Sequence, residues 1–143
     1  MSIKCLFGHK WLGCKCTRCG KTRDENHFLV DDKCGICGIK MIPVNSFTKD
    51  EISMLSYTMT AAMMGGKQFG EKDTETHAKT LGAIFMLGLA GSDVGRGLTQ
   101  SNINFIGKYV QTMFKAHRDN GNRLEAEKYD KLLSKLLEMK NSF

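Results

Sequence analysis

The chain has 143 residues, a formal charge of +6 and six cysteines. That length holds one ordinary domain, or a small metal-stapled module followed by a helical domain of about 100 residues that buries its own core. The longest apolar run, Leu81 to Ala90, is broken by glycines and is only half the roughly 20 residues needed to span a bilayer, so no transmembrane helix and no membrane partner are expected.

Cys5, Cys14, Cys16, Cys19, Cys34 and Cys37 all precede the only proline, Pro43. The sequence from Val44 onward must therefore fold by hydrophobic packing alone, which predicts a Cys/His zinc-binding module over 1–43 and an α-helical domain over 44–143. The first residues, Met-Ser-Ile-Lys-Cys5, lack the apolar stretch of a secretory signal, so a cytoplasmic location is expected, with thiols serving as metal ligands.

Metal chemistry changes the charge balance, because ligand cysteines bind as thiolates. Six thiolates and two Zn²⁺ bring the whole chain from +6 to +4. Residues 1–43 carry eight basic and four acidic residues, +4 without metal and +2 with it. The remainder has 13 basic and 11 acidic residues, and no concentrated electrostatic footprint is expected from such averages.

Cys16-Thr-Arg-Cys19-Gly20 and Cys34-Gly-Ile-Cys37-Gly38 are two C-x-x-C-G knuckles with fourteen residues between them. Two intervening residues let one tight turn aim both sulfurs at the same ion, and the glycine permits the positive φ that finishes the turn. The spacing predicts a closed four-thiolate zinc site of Cys16, Cys19, Cys34 and Cys37. Cys5, His9, Cys14 and His27 remain as a second set of four. In Cys14-Lys15-Cys16 successive side chains point to opposite faces, so Cys14 should face away from the ion that Cys16 binds. Two zinc ions per chain are expected. A disulfide framework and a rubredoxin-like iron site are the competing uses of these cysteines.

The run from Cys5 to His27 resembles Cys/His segments at the start of uncharacterised bacterial proteins, and its knuckles are similar to those of zinc ribbons. The resemblance covers residues 5 to 38 and implies metal binding in a ribbon-like fold. Within it, His9-x4-Cys14-x-Cys16-x2-Cys19 is echoed by His27-x6-Cys34-x2-Cys37, with Asp31 and Asp32 where a counterpart of Cys14 would fall.

The remainder predicts about four helices. Thr48-Lys-Asp-Glu51 has the capping-box pattern and starts a first helix, with Ile52, Leu55, Met59, Ala62 and Met63 at helical spacing and Gly65-Gly66 as its expected end. The methionines Met54, Met59, Met63 and Met64 suit core packing better than an adaptable partner surface. A second helix should run from Asp73 or Thr74 to about Ala90, its later half apolar all round and so enclosed by neighbours. Gly91 to Gly97 matches no phosphate-loop template and is expected to be a connector. Thr99 or Ser101 can cap a third helix bearing Ile103, Ile106, Val110, Met113, Phe114 and His117. Asn122 can cap a fourth bearing Ala126, Tyr129, Leu133, Leu136 and Leu137.

No motif for metalloprotease, serine-nucleophile or deaminase chemistry is present, and no enzyme is expected. Only a cleft gathering Glu71, Asp73, Glu75, His77 and His117 would provide acid/base chemistry. The favoured function is a zinc-stabilised binding or adapter protein, with a protein partner or self-association. The alternative is nucleic-acid binding through Lys10, Lys15, Arg18, Lys21 and Arg23, with Trp11 or Phe28 stacking.

Overall fold

The computed structural model describes residues 5–6, 8–23, 26–68, 72–91 and 96–143, without the side chains of 66–68 and 72–73. Small antiparallel hairpins with the cysteine clusters come first, and four helices follow. The first hairpin pairs β1 (Trp11–Leu12) with β2 (Lys15–Cys16), and the second pairs β3 (Leu29–Val30) with β4 (Lys33–Cys34). A third pairing joins β5 (Ile42–Pro43) to β6 (Gly97–Leu98), which lies just before the third helix.

The helices are α1 (Lys49–Gln68), α2 (Lys72–Leu89), α3 (Gln100–Asp119) and α4 (Arg123–Asn141). α1 packs mainly on α2 and α3 on α4, with α1 also touching α3. Their shared core centres on Leu55, Met59, Leu81, Phe85, Ile106 and Val110, all essentially without solvent contact. Ile42 belongs to this core, whereas Met41, one residue earlier, packs on Cys14 and Cys34.

The expected caps form. Glu51 N–H donates to the Thr48 hydroxyl (3.2 Å), and Thr48 N–H donates to the Glu51 carboxylate (2.8 Å). Lys135 of α4 donates to the same carboxylate at 2.6 Å, tying the start of α1 to the last helix. Burial opposes ionisation of Glu51, but Lys135 and the Thr48 N–H outweigh it and hold the carboxyl below its ordinary range. A carboxyl depressed by folding stabilises at neutral pH and loses that contribution as the pH falls through its folded value. Thr48→Ala is expected to cost about 1 kcal/mol in urea unfolding at pH 7. Thr99 caps α3 with Asn102 in the reciprocal role, and Asn122 caps α4.

Three expectations about the helices change. Leu137 is exposed, and Leu132 takes its place in the core. Gly65 and Gly66 lie inside α1, which continues to Gln68: an interior glycine costs about 1 kcal/mol, which packing against α2 can outweigh. The apolar half of α2 is enclosed on one side only. Ala78, Leu81 and Phe85 are buried, while Met86 is 57% exposed, because four helices cannot surround one of their own number. Met59 is buried and Met54 and Met63 pack at the core's edge, leaving Met64 as the projecting methionine.

The Gly91 to Gly97 connector lies partly outside the described residues, but its end has a structural task. A Cβ on Gly97 would sit 3.1 Å from Met41 Cε, 3.2 Å from the Ile42 carbonyl oxygen and 3.3 Å from Leu29 Cδ1. Glycine there lets the strand before α3 press against the residues that leave the second hairpin.

Candidate metal centre

Each knuckle folds back on its own hairpin. Trp11 pairs with Cys16, so His9, two residues before Trp11 in the chain, reaches the Cys16/Cys19 turn. Leu29 pairs with Cys34, and His27 reaches the Cys34/Cys37 turn in the same way. The backbone repeats itself closely. Cys16 N–H donates to the Lys21 carbonyl and Gly20 N–H to that of Cys16, while Cys34 N–H donates to Ile39 and Gly38 N–H to Cys34, all at 2.8 to 2.9 Å. Gly20 and Gly38 have φ of +74° and +76°, the left-handed conformation that lets each turn close over its sulfurs.

The eight ligands therefore form two clusters: Cys5, His9, Cys16 and Cys19 in one, and Cys14, His27, Cys34 and Cys37 in the other. Within each, all donor atoms lie within 4.8 Å of one another. Cys5 Sγ is 3.8 Å from Cys16 Sγ, and Cys14 Sγ is 3.6 Å from Cys34 Sγ. His9 Nδ1 is 3.4 Å from Cys19 Sγ, and His27 Nδ1 is 3.5 Å from Cys37 Sγ. Tetrahedral zinc, with Zn–S about 2.3 Å and Zn–N about 2.0 Å, requires S···S edges of about 3.8 Å and S···N edges of about 3.5 Å. The donor set and spacing fit two zinc ions per chain, each held by three thiolates and one imidazole. All six cysteines are free, and these sulfur separations are far beyond the roughly 2.0 Å of a disulfide.

This grouping corrects the one expected from the spacing. Cys16/Cys19 and Cys34/Cys37 fall in separate clusters, and Cys5, His9, Cys14 and His27 do not come together as a set of their own. Each knuckle instead takes the histidine brought to it by its own hairpin, which closes only a short loop. One expectation carries over: Cys14 and Cys16 face different sites, so Cys14 is the single ligand that crosses from the first hairpin to the second cluster. A constant offset was legible in the numbering. His9 to His27, Cys16 to Cys34 and Cys19 to Cys37 are each eighteen residues, which matches each histidine to its knuckle.

Residues around the ligands hold them in place. Trp11 packs between the His9 ring, 5.1 Å away, and the Arg23 guanidinium, 4.6 Å above the indole. Arg23 also donates from Nε and Nη2 to the Gly13 carbonyl at 3.3 and 3.1 Å, tying off the first hairpin. In the second cluster Cys14, Cys34 and Met41 form a small buried nucleus with Leu29 and Ile36 against it. Lys40 donates to the Ser142 carbonyl beyond α4, linking this knuckle to the helices.

The thiols are electrostatically unequal. Burial, and then hydrogen bonding to the neighbouring cysteines, push Cys5 up to about 11 and Cys14 up to about 12. Burial also opposes ionisation of Cys16 and Cys34, but backbone N–H groups of their own turns, joined by His9 and His27, bring them down to about 5 and about 6. Cys5 and Cys14 are therefore thiols at neutral pH until zinc binds, and the metal must displace their protons. Zinc uptake in weak buffer is expected to acidify the solution, and apparent affinity should rise with pH. Competition titrations from pH 5 to 8 measure this; a flat profile would contradict it.

The other candidate residues do not assemble. His77 stacks on Phe105 (4.3 Å between centroids), accepts a hydrogen bond from Asn102 at 3.2 Å, and lines a cleft of about 830 Å³ with His27, Lys79 and Arg96. His117 stacks on Tyr129 and lines a separate cleft of about 750 Å³ with Asp50, Tyr57 and Glu125. The side chains of Glu71 and Asp73 lie outside the described residues, and Glu75 lines neither cleft. Among the described residues no helix is long and apolar enough to cross a membrane. Comparison with family models, curated proteins and solved structures gives no match.

Proposed function

We propose that this is a non-catalytic adapter protein of a reducing compartment, in which zinc fixes the second knuckle as a platform for a protein partner. The observation that carries this is an apolar surface on a rigid hairpin. Phe28 and Val30 are 55% and 50% exposed, and Ile39 close by is 42% exposed. Phe28 and Val30 are two residues apart and share a strand face, while Leu29 between them turns inward to pack on Met41 and Gly97. A hairpin clamped by a metal loses little entropy on binding, so exposed aromatic and β-branched side chains there suit an interface. Both metal clusters supply four protein ligands, which supports structural zinc over a catalytic ion with an open position.

A photo-crosslinking residue at position 30 tests this, with Lys131 on α4 as the control position. Discrete protein adducts are expected from position 30, lost on Phe28→Asp with zinc content still two. Adducts equal at both positions, or none at position 30, would remove the protein-partner reading. Adducts only with a second copy of the chain would make the platform a self-association surface.

A further inference from the structure

The ligand grouping uncovers a polarity that the averaged charge conceals. Residues 5–23, the first knuckle, contain Lys10, Lys15, Arg18, Lys21 and Arg23 and no acidic residue. Its site uses Cys5, Cys16 and Cys19, so three thiolates and one Zn²⁺ subtract one, leaving +4. Cys14 sends its charge to the other cluster. Residues 24–41 carry Asp24, Glu25, Asp31 and Asp32 against Lys33 and Lys40, and their site subtracts one more, giving −3. The near-neutral module is a strongly basic knuckle joined to an acidic one.

We infer that the first knuckle, through Lys10, Lys15, Arg18 and Lys21, binds the phosphodiester backbone of a single-stranded nucleic acid. These four side chains are exposed, and among the described residues none has a carboxylate partner. The scaffold that carries them is rigid: Thr17 N–H and its hydroxyl both donate to the Lys10 carbonyl, at 2.9 and 3.1 Å, and Arg18 donates to Gly8. All four lie on one small hairpin and its knuckle, so several of the charges can meet one polyanion together. A phosphate backbone neutralises several such cations at once and gains counterion release from each. Trp11, half-buried between His9 and Arg23, adds an aromatic surface among the cations. An anionic membrane is the competing polyanion, because Leu6 and Leu12 also project from this knuckle, and vesicle binding is measured beside the oligonucleotide.

This face is separate from the apolar platform of the second knuckle, and the two fail independently. The zinc-loaded full chain is titrated into a fluorescent 20-nucleotide oligonucleotide at several salt concentrations. Binding is expected at low salt, with log K falling against log salt at a slope of about −3, as four contacts on a single strand imply. Lys15→Gln with Lys21→Gln should halve that slope and weaken low-salt binding at least tenfold. Lys33→Gln with Lys40→Gln removes the same charge from the second knuckle and should leave binding within twofold, as should Phe28→Asp. Two bound zinc ions in each variant confirm that it is folded. No binding at 50 mM salt, equal losses in both lysine pairs, or Lys15-dependent binding to phosphatidylserine vesicles without oligonucleotide binding would each overturn the inference.

Discussion

Removal of zinc by a strong chelator should abolish the hairpins between residues 8 and 41 while leaving the four helices standing. The two knuckles bury a nucleus of little more than Cys14, Cys34 and Met41, too small to stabilise forty residues unaided. Zinc contributes on the order of 10 to 16 kcal/mol in comparable peptides, which exceeds anything else available to this segment. The helices have a core of their own, reached from the module through Ile42, the β5–β6 pairing and the contacts of Leu29 and Met41 with Gly97. Trp11 is the only tryptophan, and its indole sits against the ligand His9. Its emission should therefore shift to the red on chelation, while helical circular dichroism falls only modestly. A loss of helix in parallel with the tryptophan change would mean that the two parts fold as one unit.

The second large effect is expected from Cys14→Ser. This ligand has no counterpart in the second hairpin, where Asp32 stands eighteen residues on, and its sulfur lies 3.6 Å from that of Cys34. Losing it removes one of three thiolates from the second site, and also the one ligand that ties the hairpins together. Zinc content at limiting metal should fall from two to one, with the backbone amides of residues 28–41 losing hydrogen-exchange protection. Cys5→Ser should also lose one zinc, but there the protection of residues 28–41 should persist. Equal loss of that protection in both variants would deny Cys14 its bridging position.

Much of the architecture is legible in residue order. Thr48 and Glu51, Thr99, and Asn122 mark helix starts because a cap is a local interaction between residues three apart, and each is found as expected. The eight metal ligands are equally visible, since only Cys and His at such spacings offer the donors. Their partition is harder to read, because the C-x-x-C spacing says which sulfurs share a turn and nothing of which turns share an ion. The hairpin registers Trp11 to Cys16 and Leu29 to Cys34 decide that. The β5–β6 pairing is invisible for a related reason: Ile42 and Leu98 are 56 positions apart, and two-residue strands carry no periodicity. Charge polarity between the knuckles is legible in residue order, with no acidic residue from 5 to 23, and assigning Cys14 to the second site widens it by one charge on each side.

The partition of ligands underlies both the fold of the module and the placement of its charge, and one double substitution tests it directly. Cys14→Ser with Cys34→Ser takes two of the four ligands from the second cluster and leaves Cys5, His9, Cys16 and Cys19 intact. Native mass spectrometry of this variant should find one tightly bound zinc per chain. If the two C-x-x-C pairs shared a single ion, the same pair of substitutions would break both sites, and a chain retaining no zinc would contradict the interleaved arrangement.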